Sequence, residues 1–291
     1  RKRSLKMEAK IEKKYDGRLL EGPLWDEENQ KLVLVDILDK KLLTYDPKTT
    51  TLEDITLPSV VTSVSKTNHS KLIVSTHNQL LLVDKNKKNH EEYIRLDTLE
   101  KTMRFNDGKC DPYNRFWIGT MSEEDEEGKA QLYVVDEKGV IKSAKEGLSV
   151  SNGLAWNRTG DKFFLVDSPK NKIMSYSFSK ETTRLEDEKV VIDLSDMDGF
   201  PDGMTIDEHD RLWVALWGGS KVICVDPDKG EIIESIHLPV SNVTCCTFGG
   251  DDLQTLFITT AKEEEKYEEA AGSLFSCRVG VKGVPAYTYV Y

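Results

Sequence analysis

Pro201-Asp202-Gly203-Met204-Thr205-Ile206-Asp207 places one acidic residue at the head of an apolar run and a second five positions later. The phrase returns as Glu21-Gly22-Pro23-Leu24-Trp25-Asp26, Asn106-Asp107-Gly108-Lys109-Cys110-Asp111 and Asn152-Gly153-Leu154-Ala155-Trp156-Asn157. Each copy opens on a carboxylate or an amide and reaches Asp or Asn five residues on. Short apolar runs bounded by turn residues read as strands. If the copies are equivalent strands of a symmetric fold, Glu21, Asn106, Asn152 and Asp202 occupy equivalent positions and meet at one site.

Working outward from the first copy, residues 32–35, 42–45 and 52–57 are further strand-like runs, parted by turn residues and without helical periodicity. Second runs recur at 72–74, 116–118, 163–166, 212–214 and 256–258, and third runs at 80–83, 132–135, 172–176, 222–225 and 274–277. Aligning them supplies two more repeat starts, Val61-Thr62-Ser63 and Val243-Thr244-Cys245, which lack the acid or amide. The result is about six repeats of roughly 40–50 residues, the period of a four-stranded propeller blade. The expected fold is therefore all-β: a six-bladed β-propeller with four antiparallel strands per blade. Solenoids of this period are mostly helical, and the chain offers almost no long amphipathic helix. A tryptophan-aspartate repeat propeller is disfavoured because its Gly-His and Trp-Asp signature is absent in register. Alternation in residues 9–15 and 286–291 predicts that the terminal strands pair with each other and close the last blade. Residues 1–7 are expected to form a disordered or tag-like tail and 8–291 a single domain.

Composition narrows the partners. Forty Lys and Arg against 51 Asp and Glu leave a net charge of −11, which repels phosphate backbones and anionic lipid surfaces. No nucleic acid and no membrane is expected as a partner, and no apolar run approaches the roughly 18 residues that span a bilayer. The basic start Arg1-Lys2-Arg3 is not followed by a signal-peptide core. Five cysteines without metal-type spacing read as buried thiols in a reducing, cytoplasmic compartment. Glycosylation triplets begin at Asn68, Asn157 and Asn242 and weaken that placement only slightly.

In a propeller the innermost strands line a channel, and the repeat register brings Glu21, Thr62, Asn106, Asn152, Asp202 and Thr244 to one end of it. Carboxylates and amides converging in a desolvated space need neutralising, and an all-oxygen set suits a hard divalent cation. The alternative is that these side chains hold internal water and pin the blades together. No zinc-protease, nucleophile-elbow, phosphate-loop or dinucleotide motif is present. Asp193, Asp196 and Asp198 hint at a calcium loop but lack the EF-hand spacing.

The phrases Glu21-Gly22-Pro23, Arg104-Phe105-Asn106-Asp107-Gly108-Lys109, Gly119-Thr120-Met121, Ser151-Asn152-Gly153-Leu154-Ala155-Trp156, Pro201-Asp202-Gly203-Met204, Phe248-Gly249-Gly250 and Gly280-Val281-Lys282-Gly283 carry a resemblance. In order, and over nearly the whole chain from Glu21, they resemble the senescence marker protein, regucalcin and gluconolactonase family, which includes firefly luciferin-regenerating enzyme. The resemblance implies a metal-dependent lactonase with one divalent metal ion, Ca2+ first and Mg2+, Mn2+ or Zn2+ as alternatives. It implies Glu21, Asn152 and Asp202 as metal ligands, Asp202 also as general base, and Arg104, Asn106 and Glu124 as substrate contacts. The implied partner is a small-molecule lactone, met by a monomer or weak dimer. Two other functions are compatible with the resemblance: a calcium-binding regulatory protein without turnover, and a luciferin-regenerating type of hydrolase acting on an aromatic substrate. The segment from Glu124 to Ala130 is shorter and more acidic than the matching lid of vertebrate regucalcins, so substrate choice stays open.

Overall fold

The structure is a computed structural model and describes residues 5–291. Each repeat folds because β-branched and aromatic residues alternate with turn residues, so the chain reverses every few residues and each strand pairs with the one before it.

Two short strands, β1 (Leu5–Glu8) and β2 (Lys10–Lys13), precede the first repeat. The repeats then follow in order. The first contains β3 (Leu20–Asp26), β4 (Lys31–Asp36), β5 (Lys41–Asp46) and β6 (Thr51–Thr56). The second contains β7 (Ser63–Thr67), β8 (Leu72–Ser75), β9 (Gln79–Asp84) and β10 (Asn89–Arg95). Next come β11 (Met103–Cys110), β12 (Phe116–Ser122), β13 (Ala130–Val135) and β14 (Ile141–Leu148), then β15 (Ser151–Trp156), β16 (Lys162–Asp167), β17 (Lys172–Ser177) and β18 (Glu186–Asp193). After these are β19 (Phe200–Ile206), β20 (Leu212–Trp217), β21 (Lys221–Asp226) and β22 (Glu231–His237), and then β23 (Asn242–Gly249), β24 (Thr255–Ala261) and β25 (Leu274–Arg278). The chain ends with β26 (Thr288–Tyr289). The one helical turn among the described residues is a 3-10 segment at Ser168–Lys170.

The first strands of successive repeats touch in a closed ring: β3 with β7, β7 with β11, β11 with β15, β15 with β19, β19 with β23, and β23 with β3. The architecture is propeller-like and all-β. The apolar core lies between neighbouring repeats rather than on the axis. Val33, Val35 and Leu42 meet Val64, Val74 and Leu81, and Trp117 and Leu132 meet Trp156 and Phe163. Leu32, Leu34 and Tyr45 of the first repeat meet Phe257 and Leu274 of the last, so the seam is packed like every other junction. Polar groups are left for the axis.

Three expectations are corrected. Separate four-stranded sheets were expected throughout, but hydrogen bonding gives five sheets, one of them with nine strands. The cause is local: Trp217 at the end of β20 bridges to Asn242 at the start of β23, which stitches two repeats together. The terminal strands do not pair with each other. β2 completes the last repeat by pairing antiparallel to β25, whereas β26 runs parallel to β7 in the second repeat. Finally, β1 runs parallel to β22, so residues 5–7 of the expected tail belong to a sheet, and residues 1–4 lie outside the described residues.

Candidate functional site

The second half of the repeated phrase is a fold device. Asp111 Oδ2 accepts from Arg115 Nε at 2.8 Å and from Trp117 Nε1 at 2.8 Å. Asp207 Oδ2 does the same with Arg211 Nε at 3.0 Å and Trp213 Nε1 at 2.9 Å. These aspartates lock the turn to the second strand, far from the channel mouth.

The first half makes the site. The antiparallel register breaks between Glu21 and Leu24, between Phe105 and Gly108, between Ser151 and Leu154, and between Pro201 and Met204. Such irregularities leave residues unpaired and re-aim their side chains. Asn106, Asp107, Asn152 and Asp202 sit inside them, and Glu21, still paired with Val35, flanks the first. The Gly after Asn152 and the Gly after Asp202 have a steric cause: a Cβ on Gly153 would stand 2.7 Å from the Asp202 carbonyl oxygen, and one on Gly203 would stand 2.3 Å from Cys245 Sγ. The inner strands pack too closely for a side chain there.

The structure brings together five of the six predicted site residues. Glu21, Arg104, Asn106, Asn152 and Asp202 are each no more than 7% exposed. Glu21 Oε2 accepts the Gly22 amide at 2.8 Å. Asn106 Nδ2 donates to Asn152 Oδ1 at 3.0 Å and to the Ser151 carbonyl at 2.8 Å, and Asn152 Nδ2 donates to Ser168 Oγ at 2.7 Å. Arg104 Nη1 donates to Asn106 Oδ1 at 3.1 Å and to the Phe105 carbonyl at 2.8 Å. The sixth residue, Glu124, is exposed on the loop after β12, and its carboxylate has no hydrogen-bond partner among the described residues. Its neighbour Glu123 lies 3.1 Å from His77 Nε2.

Thr62 and Thr244 are consumed by the ring. Thr62 Oγ1 is 2.7 Å from Ser75 Oγ, and Thr244 Oγ1 donates to the Leu20 carbonyl at 2.5 Å. Two residues of the inner strands escaped the sequence reading. Asp107 is buried beside the cluster, and Lys109 Nζ donates to the Leu154 carbonyl at 2.9 Å and the Met204 carbonyl at 2.7 Å, tying three inner strands together. Both stand inside the Asn106-Asp107-Gly108-Lys109 phrase. Strand alternation alone does not bring Asp107 beside the cluster, because the register break there interrupts it.

The electrostatics follow from burial. Desolvation, then the nearby Asp202 and Asp107 carboxylates, pushes Glu21 well above the ordinary range. Asp202 is likewise driven well up by burial and by Asp107. Burial raises Asp107, and the Lys109 ammonium opposes it. Desolvation lowers Arg104, while Glu123 and Glu21 oppose that shift. Among the described residues no three His, Cys, Asp or Glu side chains are grouped so as to hold a metal ion. The predicted ligand set has two carboxylates, with Asn152 as its amide. Two buried carboxylates next to an amide oxygen form an all-oxygen donor set that fits a hard divalent cation.

The SMP-30/Gluconolactonase/LRE-like region, as a family pattern, matches residues 19–262. The chain belongs to this family. Among its relatives in this SMP-30/gluconolactonase/LRE-like family is YvrE of Bacillus subtilis (strain 168), named provisionally as a sugar lactone lactonase. That protein is 40% identical over 282 residues, covering 95% of this chain and 97% of the relative. Regucalcin of Homo sapiens is 30% identical over 280 residues, covering 92% and 94%. The solved calcium-binding protein regucalcin of Agrobacterium tumefaciens strain C58 superposes with a TM-score of 0.93 at 25% identity, covering 99% of each chain. Luciferin-regenerating enzyme superposes with a TM-score of 0.90 at 25% identity, covering 97% of this chain and 100% of that one.

Proposed function

We propose that this chain is a metal-dependent hydrolase of sugar-type lactones. The observation that carries the reading is the convergence of Glu21, Asp202 and Asn152 with Arg104 and Asn106 at one end of the channel. We also read the nine-stranded sheet as two blades joined by the Trp217–Asn242 bridge, which gives the six-bladed count.

Glu21, Asn152 and Asp202 would hold one divalent ion, Ca2+ first, with Mg2+, Mn2+ and Zn2+ as alternatives. When bound, that ion supplies charge for a polarised ester carbonyl and its developing oxyanion. Asp202 accepts the proton of the attacking water. Arg104 donates to substrate oxygens with the part of its guanidinium not engaged by Phe105 and Asn106. Asn106 is held by Asn152 and Ser151 and orients the ring. Glu124, free on its exposed loop, accepts hydrogen bonds from hydroxyl groups of the substrate.

Arg104, Asn106, Asn152 and the Glu123–His77 pair make the site's surroundings polar, which favours a polyhydroxylated lactone over an aromatic substrate. Relatives named regucalcin keep a second reading in view, a calcium-binding regulator without turnover. A buried Arg104 beside the carboxylates serves a substrate better than it serves a calcium store, because a cation next to the site weakens metal binding. Five free, buried thiols support a reducing, cytoplasmic setting, and we take the protein as a monomer or weak dimer with no nucleic-acid or membrane partner.

The test is gluconolactone hydrolysis by metal-stripped protein titrated in turn with Ca2+, Mg2+, Mn2+ and Zn2+. Restored turnover is expected with one of them, and tight metal binding without turnover would leave the regulatory reading. Asp202→Ala should abolish both metal binding and turnover, since it removes a ligand and the base together. An active, metal-loaded Asp202→Ala protein would refute the site.

A further inference from the structure

At the end of β3 away from Glu21, a cleft of about 590 Å³ opens between the first two repeats. Lys31, Lys66, Lys71, Lys85 and Lys88 line it, on a chain whose net charge is −11. Lys71 is already paired, its Nζ 2.5 Å from Glu91. The facing acids are partly spoken for: Asp26 accepts from Asn29, and Asp54 pairs with Lys41 at 3.0 Å. Lys31, Lys66, Lys85 and Lys88 make no side-chain hydrogen bond or ion pair among the described residues.

Lys85 is the telling member. It sits half-buried in the turn after β9, where an ammonium group ordinarily takes an acceptor or stays in water. Burial lowers its pKa, Lys31 adds to the effect, and Asp26 and Glu53 only partly oppose it. A desolvated cation without an acceptor, in a cleft wide enough for a hexose-sized molecule, is what an anionic ligand would satisfy. Glu53 on the same wall offers a carboxylate to hydroxyl groups.

We propose that this cleft is a second binding site, for a small hydroxylated carboxylate, with Lys85 as the partner of its carboxylate group. The ligand class rests on the lactonase reading, because opening a sugar lactone yields a hydroxy acid. The site lies outside the channel, so channel and cleft can be tested separately.

The experiment is calorimetric titration of the full chain with gluconate, with inorganic phosphate as a second probe. Asp202→Ala protein isolates the cleft from the channel and should bind gluconate as the parent cleft does. Lys85→Met should weaken that binding about tenfold or more, and Lys85→Arg should restore it by keeping the charge. Gluconate binding that survives Lys85→Met unchanged, or that vanishes in Asp202→Ala, overturns the proposal. Phosphate binding as tightly as gluconate overturns the ligand class. Failure of the lactonase reading shows separately, as absent turnover in the parent protein.

Discussion

The buried carboxylates Glu21 and Asp202 set the behaviour of the site at the residue scale. Both hold their protons more tightly in the folded chain than in the unfolded one, because burial and mutual repulsion disfavour the charged forms. A raised folded pKa means the native state binds more protons above the ordinary carboxylate value of about 4, so stability falls as pH rises through that window. Metal-stripped protein should therefore melt at progressively lower temperature as pH rises above the ordinary carboxylate range. Added divalent ion should raise the melting temperature most at the higher pH, where the site is most anionic. Calorimetry across the pH series checks this, and a metal-independent, flat profile would contradict it. Gly153 makes a second residue-scale case, since a methyl group there collides with the Asp202 carbonyl oxygen and Met204. Gly153→Ala should cost about 1–3 kcal/mol in urea unfolding and displace the strand that carries Asp202.

At the scale of elements, the loop after β12 carries Glu124, the proposed substrate contact. Glu126 anchors it through Thr102 Oγ1 at 2.7 Å, Ser122 Oγ at 3.0 Å and Lys129 Nζ at 2.7 Å. Hydrogen bonds from Lys129, Thr102 and Ser122 pull its pKa down to about 2. The anchoring is therefore in force above the unfolded carboxylate value and is lost only as pH falls through about 2. The Glu124 carboxylate, by contrast, has no hydrogen-bond partner among the described residues and is free to meet a ligand, although its backbone amide donates to Ser122 Oγ at 3.1 Å. Glu124→Gln should raise KM for polyhydroxylated lactones several-fold while leaving metal affinity nearly unchanged. Glu126→Gln should loosen the loop, which limited proteolysis between β12 and β13 would report. Unchanged kinetics in Glu124→Gln would reduce that residue to ordinary loop. The run of acids in residues 123–127 shows what the sequence could and could not give here: a solvated loop was legible, but which acid anchors and which stays free depends on where Thr102 and Lys129 land.

For the whole molecule, closure is the governing fact. The last repeat borrows β2 from the start of the chain, and the final residues cross to the second repeat instead of returning to that seam. Gly283 bridges to Asp207, Tyr289 pairs with Thr67, and the Val290 amide donates to the Asn114 carbonyl at 3.1 Å. The segment thus straps several repeats together, and residues 284–287 bound a small internal cavity of about 70 Å³ on the channel side. Tyr289 is fully buried and its hydroxyl donates to the Asp136 carbonyl at 2.5 Å and lies 2.8 Å from the Tyr93 hydroxyl. Tyr289→Ala should cost about 3–5 kcal/mol by urea denaturation. A cost near zero would mean that the strap is not part of the cooperative fold.

The strand class, the repeat and the residues that head each inner strand were legible in the sequence, because a period-two pattern and turn chemistry are local properties. The sequence also carried the Asp-Arg-Trp lock of Asp111 and Asp207, whose spacing is the same in both copies. Folding in three dimensions was needed to bring Asp107 to the buried carboxylates, to tie three strands through Lys109, and to turn Thr62 and Thr244 to pinning the ring instead of serving the site. It alone sent the C-terminal strand to β7, because alternation specifies a strand but not its partner. Those choices depend on register breaks, on which backbones approach too closely for a Cβ, and on how far each repeat rotates from the last. All three are fixed by packing between residues remote in sequence.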